Sequence, residues 1–300
     1  MKLNLLFTIV IPTYNRADFI ATTIQSVLNQ TYGNFELLVI DDGSTDSTET
    51  LVKSIRDNRI QYFKITNSER GAARNVGINK AKGDYITFLD SDDVYYPNYL
   101  KNARESILNF EYPPFLHLAY EVRNSASKLI SKIDYLKSDS YEFIFKGNPL
   151  SCMGVFMKKE ITRQFQFNED RLLSGSEDWE LWLRVIANFG IKCDSRISAC
   201  LIQHDDRSVM NFNETKLYKR KELALKYAFE DPFVIQKFKK HYNQIDAYAD
   251  GYIALHLLLA GKNISSLKYI LKSVVGYPLS LFSKRFLVFN KYFFLNFFRY

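Results

Sequence analysis

The last fifty residues, from Gly251 to Tyr300, contain neither aspartate nor glutamate. Over the whole chain of 300 residues, 40 Lys and Arg stand against 33 Asp and Glu, a formal net charge of +7. The acid-free stretch carries all of that excess, because residues 1–250 balance. A basic protein can signal a nucleic-acid partner. A neutral body with no basic stripe, zinc-finger spacing or RNA-recognition signature does not, so no nucleic acid is expected. Cysteine is scarce as well. Cys152, Cys193 and Cys200 are odd in number and lack close pairing, which excludes a disulfide framework and a cysteine zinc site and fits a reducing compartment. No apolar run approaches eighteen residues, so a standard membrane-spanning helix is not expected. The apolar stretch Leu5–Ile11 runs into Pro-Thr-Tyr-Asn-Arg instead of a small-residue cleavage site, so no signal peptide is read and the expected location is the cytoplasm.

What is present is ordinary for a globular protein: 47% hydrophobic and 24% charged residues. The first hundred residues alternate two patterns. Phe7–Ile11, Phe35–Ile40, Ile60–Ile65 and Tyr85–Leu89 are short apolar, β-branched or aromatic runs that read as strands. Residues 17–29, 46–55 and 72–82 read as helices between them. Such alternation predicts an α/β fold, a mostly parallel central sheet with helices on both faces. Further strands are expected at 115–122, 152–157 and 197–203, and a helix at 179–189. From about Glu214 the texture becomes helical, near 214–229, 232–248 and 250–260.

In open α/β sheets, ligands sit at the carboxyl ends of strands. Three polar clusters fall there: Pro12–Arg16, Asp41–Asp46 and Asp90–Asp93. Two carboxylates spaced i, i+2 can hold a divalent cation against substrate phosphates, and Mg2+ and Mn2+ prefer such oxygen ligands. The alternative is that these are turn residues, which Asp, Ser and Gly favour. Two acidic clusters on one sheet argue for the ligand role.

The motifs VIPTYNR (10–16), VLNQTY and FELLVIDDGSTDST (27–48), RGAARNVGINKAKGDYITFLDSDD (70–93) and SEDWELWLR (176–184) together resemble family 2 glycosyltransferases of GT-A fold. The resemblance spans about residues 6–210. It implies a catalytic domain over 1–212, with a nucleotide-binding half at 1–93 and an acceptor half at 94–212, followed by a helical basic and aromatic region over 213–300. It implies that Pro12, Thr13, Asn15, Arg16 and Asp41 line the nucleoside pocket. Asp90, with Ser91 beside it, would meet the ribose, and Asp92 would ligate Mn2+ or Mg2+ next to the diphosphate. Asp93 is either a neighbour of that pair or a helix cap. Arg70 and Arg74 either grip the nucleotide with their forked donors or are solvated helix charges. Asp178 resembles the general base of inverting members, since a sugar hydroxyl needs its proton removed as it attacks. Glu177 either orients the acceptor or caps the following helix. Trp179 and Trp182 stack on a sugar or, the better expectation, pack in the core. His204, Arg207 and Ser208 resemble a segment in which the His ligates the metal and its neighbours meet the diphosphate, although Asp205 and Asp206 interrupt the pattern here.

The implied reaction is inverting transfer from a nucleotide-diphosphate sugar, with a UDP-sugar expected, to a saccharide acceptor, expected to be lipid-linked, in cell-surface polysaccharide synthesis. A nucleotidyltransferase is a rival class, but it would carry a Gly-rich basic loop after the first strand, where this chain has PTYNRAD. A non-catalytic carbohydrate- or membrane-binding protein is a third, and the filled acidic positions tell against it. The acid-free end adds twelve aromatics to its seven cations. That mixture suits an anionic membrane surface, with a packed helical hairpin or a dimer contact as alternatives. The enzyme would then sit peripherally on the inner face of the cell membrane.

Overall fold

A computed structural model describes residues 4–204 and 213–297. The chain opens with β1 (Phe7–Thr13), α1 (Ala17–Leu28), β2 (Phe35–Asp41), α2 (Thr48–Ser54), β3 (Ile60–Lys64), α3 (Glu69–Lys80) and β4 (Tyr85–Phe88). It continues through β5 (Val94–Tyr95), α4 (Tyr99–Asn109), β6 (Phe115–Asn124), β7 (Leu129–Ile133), β8 (Val155–Lys158), α5 (Lys159–Thr162), α6 (Glu177–Phe189) and β9 (Lys192–Gln203). The helices α7 (Glu214–Ala228), α8 (Pro232–Phe238), α9 (Tyr242–Leu259), α10 (Asn263–Gly276) and α11 (Lys284–Phe297) follow.

The strands form one sheet of order β3-β2-β1-β4-β8-β6-β9-β5, with β7 paired to β6. The first four strands are parallel, as the alternation predicts. The second half mixes directions: β8 is antiparallel to β4 and β6, while β6 and β9 run parallel. Every residue of β1 and β2 is buried, the pattern of a strand covered on both faces. Period two then sorts their side chains. Val10, Leu38, Ile40 and Phe88 face Ala73 and Ile78 of α3 and Leu181, Trp182 and Val185 of α6. Ile9, Ile11, Leu37 and Val39 face Ile20, Ile24 and Val27 of α1 and Tyr99, Leu100 and Ala103 of α4.

Three differences from the sequence reading have local causes. The helix α4 was hidden between two strands, although Tyr99, Leu100, Ala103 and Ile107 are its buried stripe. The last strand begins at Lys192 and not near 197, because its first residues pair in register with Leu116 and His117. The expected break near residue 249 is absent. The helix α9 runs through Gly251, where Ser273 and Arg285 pack close to the missing side chain, and tertiary packing overrides the poor helix propensity of glycine. The break falls instead at residues 239–241, just after buried Phe238 docks edge-on to Phe145 at 5.0 Å.

The C-terminal helices have their own small core of Leu217, Ile253, Leu257, Leu258, Tyr269, Ile270 and Phe289. They are tied together by a buried cation: Lys221 on α7 meets Asp246 at 2.7 Å and Asp250 at 2.8 Å on α9. Helix α7 also packs on α6, so the helical region leans on the element that carries Asp178.

Candidate active site

The loops after β1, β2 and β4 lie side by side because those strands are neighbours. Hydrogen bonds lace the first two. Asn15, at φ 49°, donates its N–H to Ser44 Oγ at 2.9 Å and accepts at Oδ1 from the Thr45 N–H at 2.8 Å. Arg16 donates its N–H to Thr48 Oγ1 at 3.0 Å. Asp41 is completely buried; one oxygen accepts from the Ser44 N–H at 2.7 Å and the other from the Tyr62 hydroxyl. Both Asp41 oxygens thus accept hydrogen bonds that shape the loop. Pro12, Thr13 and Ser91 are also buried, and the Ser91 carbonyl is held by Thr23 Oγ1 at 3.0 Å. Asp93 is not a helix cap: its Oδ1 accepts the Ile202 N–H at 2.9 Å and pins the third loop to β9.

Asp92 and His204, distant in sequence, meet here. His204 Nε2 lies 3.1 Å from Asp92 Oδ2, and Arg16 Nε lies 3.8 Å from the same oxygen. Phe19 stacks on the His204 ring at 4.6 Å. The buried His204 Nδ1 has no partner among the described residues. A carboxylate and an imidazole at hydrogen-bond distance, with an unused ring nitrogen, is a donor set that fits a divalent cation. No group of three or more such ligands converges among the described residues, so substrate oxygens would have to supply the rest. Arg207 and Ser208 lie outside the described residues.

Arg74 joins the third loop to α6. Its side chain is 2% exposed; Nη2 donates to Asp90 Oδ1 and Nη1 to Glu177 Oε1, both at 2.8 Å. Its fork therefore bridges two carboxylates, and Arg74 is not a solvated helix charge. Arg70 approaches the same Glu177 oxygen at 3.9 Å. Glu177 also accepts the Gly175 N–H at 2.5 Å. Burial pushes its carboxyl up, but the Arg70 and Arg74 charges win and hold it below its ordinary value. It neither caps α6 in the usual way nor stands free.

Asp178, the next residue, is half-buried and lines a cavity of roughly 380 Å³. Asn148 Nδ2 donates to its Oδ2 at 2.9 Å, and the Trp179 N–H donates to its Oδ1 at 2.7 Å. Burial, then the neighbouring Glu177 charge, push the Asp178 carboxyl up to about 6. A carboxylate poised there ionises near neutral pH yet is a better proton acceptor than an ordinary aspartate. Trp182 is wholly buried against Phe115 and Phe167, a core residue. Trp179 is nearly buried but lines the cavity, and its indole N–H has no partner among the described residues. Asp90, Arg70 and Arg74 share that cavity, and so do Arg220, Tyr252 and Arg285 from the C-terminal helices. Sequence reasoning missed Asn148 and these three, because no local pattern marks them.

Residues 8–112 match the family described as "Glycosyl transferase family 2". An Escherichia coli protein named UDP-Glc:alpha-D-GlcNAc-diphosphoundecaprenol beta-1,3-glucosyltransferase WfgD is 31% identical over 248 residues, 79% of this chain and 95% of that one. The chain belongs to glycosyl transferase family 2. An uncharacterized glycosyltransferase of Rickettsia bellii is 32% identical over 211 residues, 69% of this chain, and the chain spans only 30% of that protein's length. Among solved structures, S. aureus TarS 1-349 in complex with UDP-GlcNAc superposes with a TM-score of 0.58 at 19% identity, over 87% of this chain and 89% of that one. That likeness shows the shared GT-A architecture. The family membership sets aside the nucleotidyltransferase and the non-catalytic readings.

Proposed function

We propose that this family 2 enzyme moves a sugar from a UDP-sugar to a saccharide acceptor carried on a lipid diphosphate, with inversion at the anomeric carbon. The observation that carries the reading is Asp178, a carboxylate with a raised pKa on the wall of a cavity it shares with Asp90. Asp178 would take the proton of the acceptor hydroxyl as that hydroxyl attacks from the face opposite the leaving group. Arg74 and Glu177 hold the two catalytic segments in one register through buried ion pairs. Asn148 fixes one Asp178 oxygen and so the direction of the other. Trp179, on the cavity wall, would pack its indole against the acceptor. Asp92 and His204 would hold Mn2+ or Mg2+, whose charge would offset the charge developing on the leaving diphosphate. The donor class is supported by the UDP-GlcNAc bound to TarS, and the acceptor class by the lipid-diphosphate acceptor in WfgD's name.

No helix of the described residues is long and apolar enough to cross a membrane. The end of the chain supports peripheral binding instead, on the inner face of the cell membrane. Ile264, Val275 and Phe282 are more than 80% exposed, with Leu271, Leu287 and Phe294 also outside. Lys268, Lys272, Lys284 and Lys291 are exposed among them. An apolar surface ringed by cations, with Glu214 beside Lys268, is complementary to anionic lipid.

The direct test is to incubate the full chain with UDP-sugars and lipid-diphosphate saccharides, with and without Mn2+. Release of UDP and a product of inverted anomeric configuration is expected. Retention of configuration would overturn the role of Asp178, and lack of any dependence on divalent metal would overturn that of Asp92 and His204.

A further inference from the structure

We propose that Arg220 and Arg285 bind the diphosphate of the acceptor, one sugar away from the hydroxyl that Asp178 activates. This rests on the acceptor reading above. Both arginines line the cavity that contains Asp178, whereas Asp92 and His204, where the donor diphosphate would lie, do not line it. Each guanidinium packs on a glycine next to the base. A Cβ on Gly175, three residues before Asp178, would lie 2.2 Å from Arg220 Nη1. A Cβ on Gly147 would lie 2.9 Å from Arg285 Nη2, and the following residue is Asn148, which donates to Asp178. Both glycines have φ in the left-handed region, +92° and +127°, which other residues adopt poorly. The backbone beside the base therefore leaves room for the two cations.

Among the described residues, neither guanidinium has an anionic partner. Arg285 donates Nη1 to the Tyr248 carbonyl at 2.6 Å and lies 5.6 Å above the Tyr252 ring. Burial holds its guanidinium below its ordinary value, and only tyrosines act against that. Among the described residues, no carboxylate lies within ion-pair distance of Arg220 or Arg285. The Tyr252 hydroxyl feels both guanidiniums and the Asp178 carboxylate, so the three charges share one neighbourhood. Withdrawing a cation from water without an anion is unfavourable. A diphosphate would complete both forks, since guanidinium geometry matches phosphate oxygens.

The test uses the full chain in neutral detergent and two acceptors with the same sugar and alkyl chain, one joined through a diphosphate and one as a neutral glycoside. In Arg220→Gln and Arg285→Gln, the preference for the diphosphate acceptor, read as a ratio of kcat/KM, should fall roughly tenfold to a hundredfold through the acceptor KM. The donor KM should stay put. Arg285→Lys and the partly exposed Arg220→Gln keep the test valid should Arg285→Gln fail to fold. A preference retained in the variants, or a donor KM that rises in place of the acceptor KM, overturns the arginine assignment alone. Equal use of both acceptors by the unaltered protein overturns the acceptor reading itself. A preference that emerges only with anionic vesicles would assign the arginines to bilayer phosphates and overturn the proposal.

Discussion

Arg74, from α3 beside the sheet, and Arg285, from α11 in the C-terminal region, are both cations drawn largely out of water, but their company differs. Arg74 lies between Asp90 and Glu177, with each ion pair at 2.8 Å. Arg285 has a carbonyl and an aromatic ring. The same contrast holds between the regions that supply them. The sheet half spends its acids and bases on each other and gains a rigid frame. The helical end has no acid after Asp250 and presents the cations Arg220 and Arg285 to the cavity. A matched charge holds a fold together, and an unmatched one awaits an anion.

The sharpest way to probe the sheet side of the cavity is Asp178→Asn. The amide keeps the shape and can still meet Asn148, but it cannot accept the acceptor's proton. The expected loss in kcat is at least about a thousandfold, within the range for a general base that also orients its substrate, with UDP affinity nearly unchanged. Near-normal turnover would remove Asp178 from the mechanism. In the unaltered protein, kcat should be level above the Asp178 pKa of about 6 and fall as pH drops through it, because protonation removes the base. A profile flat to pH 5 would contradict that assignment.

Arg74→Met probes the frame itself. It leaves Glu177 buried and Asp90 part-buried without their shared cation. Breaking one side of such a network should destabilise the fold by about 3–5 kcal/mol, read from thermal or urea unfolding. A variant as stable as the parent would erase the contrast with Arg285.

The smallest effect is expected on the outer surface. Replacing Lys268 and Lys272 with Gln should weaken binding to anionic vesicles by roughly thirtyfold, at about 1 kcal/mol per cation near the surface. Unchanged cosedimentation would show that the exposed helical face meets something other than lipid.

Much of the fold was legible. Phe7–Ile11 and Phe35–Ile40 are continuous apolar runs, and Ile20, Ile24 and Val27 repeat at helical spacing, so strand, helix and buried face follow from local period alone. The acidic clusters were legible for the same reason: they directly follow strands. The internal partners of Asp41 were not legible: its two oxygens accept from Ser44 and Tyr62, which no pattern in its own segment reveals. The bridge made by Arg74 was hidden likewise, its Glu177 partner lying 103 residues away.

By itself, then, the sequence determined the strand-helix alternation, the positions of the acidic clusters and the segregation of charge toward the last fifty residues, because each depends only on neighbours along the chain. Tertiary structure alone decided which charges meet. Asp92 and His204 are 112 residues apart and touch. Arg220 and Arg285 leave two different helices and reach one cavity beside Asp178. Such meetings depend on how the sheet orders its strands and how the last helices pack on α6, which is a property of the whole packed chain and of no segment within it.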